Sequence, residues 1–120
     1  MKRDFDLARE ILRQIEESSD AVGVKWIDLE IEGRDPVEVS YHVRLLDEAG
    51  LIEAFDLTTM GGFDWRPKRL TWAGHEFLDA ARDDARWEKA KDLTVKTAGS
   101  LSFEGLKYVL TQLLRATLGA

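Results

Sequence analysis

The feature that most constrains this 120-residue chain is a helix stop at Gly50 followed at once by strand-like residues. In PVEVSYHVRLLDEAGLI, from Pro36 to Ile52, the residues Val39, Val43 and Leu46 lie four and three apart, so they share one helix face that is expected to be buried. Ser40, Tyr41, Arg44, Asp47 and Glu48 fall off that face. Pro36 suits a first helical turn, where its missing N–H is not needed, and Asp35 just before it can accept from the free N–H groups. Gly50 can take the left-handed conformation that closes a helix, and Leu51 and Ile52 then lead into an extended run.

The flanking segments extend this pattern. Phe5, Leu7, Ala8, Ile11, Leu12 and Ile15 make an apolar stripe that predicts a packing helix from Asp4 to about Glu17. Lys25 to Ile31 alternates in polarity and predicts a short strand, with Glu32-Gly33-Arg34 as a turn. Trp26 to Arg34 therefore reads as extended, and the supporting helix that normally precedes a groove-entering helix is missing or very short. Leu51 to Thr58 and Arg66 to Trp72 predict the two arms of a hairpin, with Gly61-Gly62 in its turn. Pro67 cannot donate to a ladder, so its arm should be an edge strand or carry a bulge. Thr71 can cap a long charge-rich helix reaching about Val95, and Ser102 can cap a last helix, Phe103 to Leu118, with a broad apolar stripe. The expected class is α+β, mostly α. A single domain over 1–120 is expected, with a core and β-hairpin in 1–72 and a two-helix C-terminal extension in 73–120; the resemblance given below implies that it is winged-helix-like, with the hairpin as its wing.

Composition narrows the function. The chain has no cysteine, which removes disulfides, thiolate nucleophiles and Cys-based zinc sites and is compatible with a reducing cytoplasm, the expected location. It shows no bilayer-length apolar run and no amino-terminal signal pattern, so no membrane partner is expected. The formal charge is −6, and its distribution is uneven: residues 1–50 carry 7 Lys and Arg against 13 Asp and Glu, while 51–72 carry 3 against 3 and 73–120 carry 7 against 7. The acidic excess thus falls on the half containing the helix that would have to approach phosphates.

The string S-Y-H-x-x-x-L-x-x-A-G-L-I resembles the groove-entering helix of bacterial winged-helix regulators. Nearly the whole chain is similar to the bacterial and phage-borne family known as domain of unknown function 2513. The likeness runs through MKRDFDLAREIL, VSYHVRLLDEAGLIEA and RLTWAGHEFLDAARDDARWEKAK followed by GSLSFEGLKYVL, with LTWAGHEFLDAARDD its most specific part. That resemblance implies a small winged-helix-like protein associated with mobile elements, and it transfers no catalytic residues.

Two functional readings follow. In the first, the protein binds double-stranded DNA as a transcriptional regulator or accessory factor of phage or mobile-element origin. Ser40, Tyr41 and Arg44 would lie on the reading helix, and Arg66, Lys68 and Arg69 on the wing would lie along the backbone. In the second, the same scaffold docks on a protein partner without DNA. A homodimer is expected in the first reading, through Leu106, Val109, Leu110, Leu113 and Leu114 of the last helix, one side of its stripe covering the core. No enzyme activity, cofactor or metal is expected: His42 and His75 lack a convergent ligand set and are read as structural, His75 standing one turn from Asp79. Asp83 and Asp84 point about 100° apart on a helix and do not converge on one ion. Trp72 and Phe77 are expected to pack under the wing, and Trp87, on a charge-rich stretch, is open to stacking on an Arg or anchoring a partner.

Overall fold

The structure, a computed structural model, describes residues 1–20 and 22–118. It is α+β and mostly α, in the order α1 (Phe5–Glu17), α2 (Pro36–Glu48), β1 (Ile52–Asp56), β2 (Trp65–Leu70), α3 (Trp72–Ala81), α4 (Asp84–Ala98) and α5 (Phe103–Leu118). Two compact units divide the chain, Met1–Glu76 and Phe77–Ala120. Among the described residues no helix is long and apolar enough to cross a membrane.

In the first unit, Asp4 caps α1 by accepting from the Leu7 N–H at 3.0 Å, and Leu7, Ile11, Leu12 and Ile15 are buried as their spacing predicts. Asp35 caps α2 through the Val37 N–H at 2.7 Å, with Pro36 in the first turn. Val43 and Leu46 are buried, whereas Val39 is only half-buried. The helix closes as expected. Gly50 has φ +78, its N–H donates to the Asp47 carbonyl at 3.0 Å, and the Leu51 N–H reaches back to the Leu46 carbonyl at 3.1 Å. Leu46 and Leu51, the apolar pair that accompanies this closure, are both buried.

The hairpin is antiparallel and its continuous ladder is shorter than expected, running over Ile52–Asp56 and Trp65–Leu70, with an isolated bridge between Thr59 and Gly62 near its tip. Its register slips between Glu53, which faces Arg69, and Ala54, which faces Pro67, so Lys68 is the extra residue of a bulge beside the proline. Lys25 to Ile31 is not a strand. A single ladder-type bond, from the Ile27 N–H to the Pro67 carbonyl at 2.8 Å, ties it to β2. The Gln14 side-chain amide then takes both backbone groups of Glu30, at 2.7 and 3.0 Å. No helix occurs among the described residues between α1 and α2, as the extended pattern predicts.

Thr71 joins the end of the hairpin to α3. Its hydroxyl donates to the Gly50 carbonyl at 2.6 Å and accepts from the Gly74 N–H at 3.1 Å, while its N–H donates to the Leu51 carbonyl at 3.0 Å. Trp72 therefore opens a helix instead of ending a strand, and its side chain is 80% exposed, not packed under the wing. Gly74 faces the Leu51 carbonyl so closely that an added Cβ would stand 1.9 Å from that oxygen.

A second tie holds the start of α1 to α2. The buried His42 ring accepts from the Asp4 N–H at Nε2 (2.8 Å), so Nδ1 carries the proton it shares with the Glu38 carbonyl at 2.8 Å. Arg34 bridges the Asp4 and Glu38 carboxylates at 2.8 and 2.9 Å. Partial burial pushes the Asp4 carboxyl up, but the Leu7 N–H and the Arg34 guanidinium outweigh it and hold the group below its ordinary 3.8. His75 is half-exposed and stands 3.8 Å from Glu16, while Asp79 pairs with Arg82 instead.

In the second unit, the long helix expected to reach Val95 breaks at Arg82. Asp83 turns extended and caps α4 by accepting from the Arg86 N–H at 2.7 Å. Arg86 reaches back to the last carbonyls of α3, donating to Ala80 at 2.7 Å and to Asp79 at 3.3 Å. A side-chain cap at both ends of the break replaces the backbone bonds an unbroken helix would have made. Trp87 is buried edge-on to Phe77, ring centroids 6.4 Å apart, and Phe77 also meets Phe103 at 5.4 Å, so Phe77 belongs to this aromatic cluster. Ser102 caps α5 through the Gly105 N–H at 3.2 Å. Helix α5 packs on α4.

Two outcomes test these contacts. Gly74→Ala is expected to lower unfolding stability by about 3 kcal/mol or more, because backbone must move to admit the methyl, whereas Gly61→Ala at the hairpin turn should change it little. Urea unfolding curves compare them, and equal midpoints would show that α3 does not abut Leu51. Because the Asp4 carboxyl is lowered in the fold, its stabilisation is complete above about pH 4 and is lost as pH falls through the lower folded value. Asp4→Asn should therefore flatten the acid limb of a stability-against-pH profile.

Candidate functional site

The residues expected to contact DNA lie on α2 and β2, and the structure shows what each already touches. The Ser40 side chain is buried. Its oxygen accepts from the Trp65 N–H at 3.1 Å and lies 3.4 Å from the Trp65 carbonyl, so it clamps the returning hairpin arm to α2 and is withdrawn from any reading face. Arg44 lies between two rings, its guanidinium carbon 5.3 Å from the centroids of both Tyr41 and Phe63. Its Nε is buried without a hydrogen bond; the Glu48 carboxylate stands 3.7 Å away, close enough for attraction but too far for a bond. Tyr41 is half-buried and edge-on to His42.

The wing cations are engaged in the same way. Arg66 bonds Asp28 at 2.8 Å and Asp64 at 3.3 Å and lies 5.3 Å over Trp26. Arg69 meets Glu53 at 2.6 Å and donates to the Leu70 carbonyl at 3.0 Å. Lys68, lifted by the bulge, sits 4.8 Å over Phe55, which is edge-on to Trp26 at 6.5 Å. Each of these pairs is partly exposed and individually weak, on the order of 1 kcal/mol or less. Their joint effect is on charge: the patch that looks dense and positive in sequence is neutralised by Asp28, Asp64 and Glu53. Residues 1–76 carry ten Lys and Arg against seventeen Asp and Glu, a net −7.

An open cleft of about 240 Å³ lies between the extended segment before α2, the first turns of α2 and the start of β2. One wall is the extended segment with Ile27, Leu29 and Ile31, a second is the start of β2 with Trp65 and Pro67, and the third is the first turns of α2 with Val39. Arg34, Asp28, Asp64 and Arg66 line it as well. Among the described residues, no group of three or more His, Asp or Glu side chains is placed to hold a metal ion.

On α5, Leu106 and Leu110 of the expected dimer face are buried within their own chain, because residues four apart share the side that packs on α4. Val109, Leu113 and Leu114 stay half-exposed.

A family described as "Hypothetical protein (DUF2513)" matches residues 2–109. The chain belongs to the DUF2513 family. An "Uncharacterized protein" of Haemophilus influenzae is 40% identical over 109 residues, spanning 91% of this chain and 92% of that one. No solved structure matches it.

In this DUF2513 chain the cleft is the feature that residue order alone does not reveal. Its signal is the alternation of Ile27, Leu29 and Ile31 with Asp28, Glu30 and Glu32, which looks like a strand because the pattern does not say whether a neighbour completes the ladder. Ser40 misleads for a related reason: a serine beside a buried stripe looks exposed until a second element folds over it. Ser40→Ala should leave the Trp65 N–H without its acceptor and lower stability by about 1 to 2 kcal/mol. Chemical denaturation reads the loss, and hydrogen exchange should show the Trp65 amide deprotected ahead of its neighbours.

Proposed function

We propose that the protein is a protein-docking module on a winged-helix-like scaffold. The observation that carries this reading is that every cation of the expected DNA face already has a partner in its own chain, within a unit of net −7. A phosphate backbone would have to displace the carboxylates on Arg66 and Arg69, draw Arg44 and Lys68 off their rings, and approach a surface of like sign, while duplex affinity comes mainly from Lys and Arg that neutralise phosphates. Partner proteins do not impose that requirement. Winged-helix scaffolds serve both purposes, so the decision rests on the charges of the face.

A second reading keeps DNA. The order of helix, glycine stop and hairpin supports it, as does the hairpin tip, where Thr59 and Gly62 bridge across a fully exposed Met60 of the kind that wedges between bases. In that reading the chain is a regulator or accessory factor of phage or mobile-element origin. A second copy would dock through the half-exposed Val109, Leu113 and Leu114 to supply paired half-sites.

Fluorescence anisotropy with duplex DNA at about 50 mM salt separates the readings, comparing the wild type with a triple Ala variant at Arg66, Lys68 and Arg69. Docking predicts no salt-dependent binding at micromolar protein and no difference between the two proteins. Binding whose salt slope falls by roughly 3 in the variant, about 0.9 for each phosphate that is no longer neutralised, would establish DNA binding instead. Cross-linking in the native host, with stoichiometric partners identified by mass spectrometry, gives the complementary result.

A further inference from the structure

We propose that the cleft between residues 27–31 and the start of β2 receives an extended, lysine- or arginine-bearing segment of a partner protein, which pairs as a strand with the backbone of Leu29 and Ile31. The inference rests on the docking reading above and names its site and the chemistry of its partner.

The backbone supplies the first argument. Residues 26–31 run without turn or bend. Ile27 donates toward β2, while both groups of Glu30 face α1 through Gln14. In an extended chain the direction alternates every residue, so the N–H and C=O groups of Leu29 and Ile31 point to the same side as those of Ile27. Neither residue makes a hydrogen bond among the described residues. One strand bond is made, and the next positions along the edge are open. An edge of this kind pairs readily with another extended chain.

Volume decides between kinds of occupant. At about 240 Å³ the cleft is smaller than the roughly 300–1,000 Å³ of sites that enclose a small molecule. Its half-buried walls at Leu29, Ile31 and Val39 instead suit the alternate apolar side chains of a strand. Charge specifies the rest. The charged groups that line the cleft, Asp28, Asp64, Arg34 and Arg66, are paired within the chain, but just outside its lining the exposed carboxylates of Glu30 on the same segment and of Glu32 in the turn that follows it have no partner among the described residues. A strand whose other face carries Lys or Arg meets them, whereas an acidic strand is repelled.

The probe is a ten-residue peptide alternating valine and lysine, titrated into the ¹⁵N-labelled full chain, with a valine–glutamate peptide as its counterpart. The valine–lysine peptide should shift the Leu29 and Ile31 amides, bind at least tenfold more tightly than the acidic one, and weaken severalfold with Glu30→Gln/Glu32→Gln, a double variant that touches no structural contact. Shifts elsewhere only, equal affinity for both peptides, or an unchanged Kd in the double variant would overturn the proposal. So would Leu29 and Ile31 shifts that track protein concentration without peptide, which would assign the cleft to a second copy. Host partners that still cross-link stoichiometrically to the double variant would sink this site while leaving the docking reading intact; failure of the wild type to bind either peptide or any host protein would sink both.

Discussion

The first unit depends on how the chain is handled at Gly50 and Leu51. The left-handed glycine ends α2, and the Leu51 N–H completes the closure by returning to Leu46. The carbonyls of the same two residues then accept from the hydroxyl and N–H of Thr71, which starts α3. Within two residues one helix stops, a strand begins and a second helix is held. Gly74 is required because that helix lies directly on the Leu51 carbonyl, where no Cβ fits. Ser40 closes the loop from the other side by fixing Trp65 to α2, so the hairpin is held at both its return and its end.

That scaffold has an unusual electrostatic outcome. The bulge beside Pro67 lifts Lys68 onto Phe55, and the arms bring Arg69 against Glu53 and Arg66 against Asp28 and Asp64. Cations that stand together in sequence are thereby dispersed among acids contributed by three segments. Arg44 is handled with rings instead of carboxylates. Among the described residues no helix stands between α1 and α2, and a cleft lies beside the extended segment 27–31.

Much of the fold is legible in the sequence because it rests on local rules. The α1 stripe, the Asp35-Pro36 start of α2, the Gly50 stop, the Pro67 irregularity and the caps at Thr71 and Ser102 each follow from one residue's conformational limits or from three-to-four spacing. The departures share a different origin. Trp72 reads as strand because an aromatic residue after Arg69 and Leu70 extends a strand pattern, yet Thr71 is bound to Gly50 and committed to a cap. The α3–α4 break is hidden because RDDAR is compatible with a helix, and only Arg86 folding back on Ala80 makes the interruption favourable. Leu106 and Leu110 cannot be told from Val109, Leu113 and Leu114 by spacing, since a broad stripe does not reveal which side its neighbour covers.

By itself the sequence determined the bounds of α1, α2 and α5, which faces are apolar, and that the acidic excess lies in the first half. These are properties of single residues and of periodicity along one chain. Tertiary structure decided which charges survive as surface and which cancel, whether Lys25 to Ile31 finds a ladder, and whether Ser40 faces solvent or the Trp65 backbone. The reason is physical: ion pairs, ladder bonds and close approaches join residues far apart in the chain, 38 positions for Asp28 and Arg66 and 40 for Ile27 and Pro67. Their existence depends on geometry that no local pattern encodes.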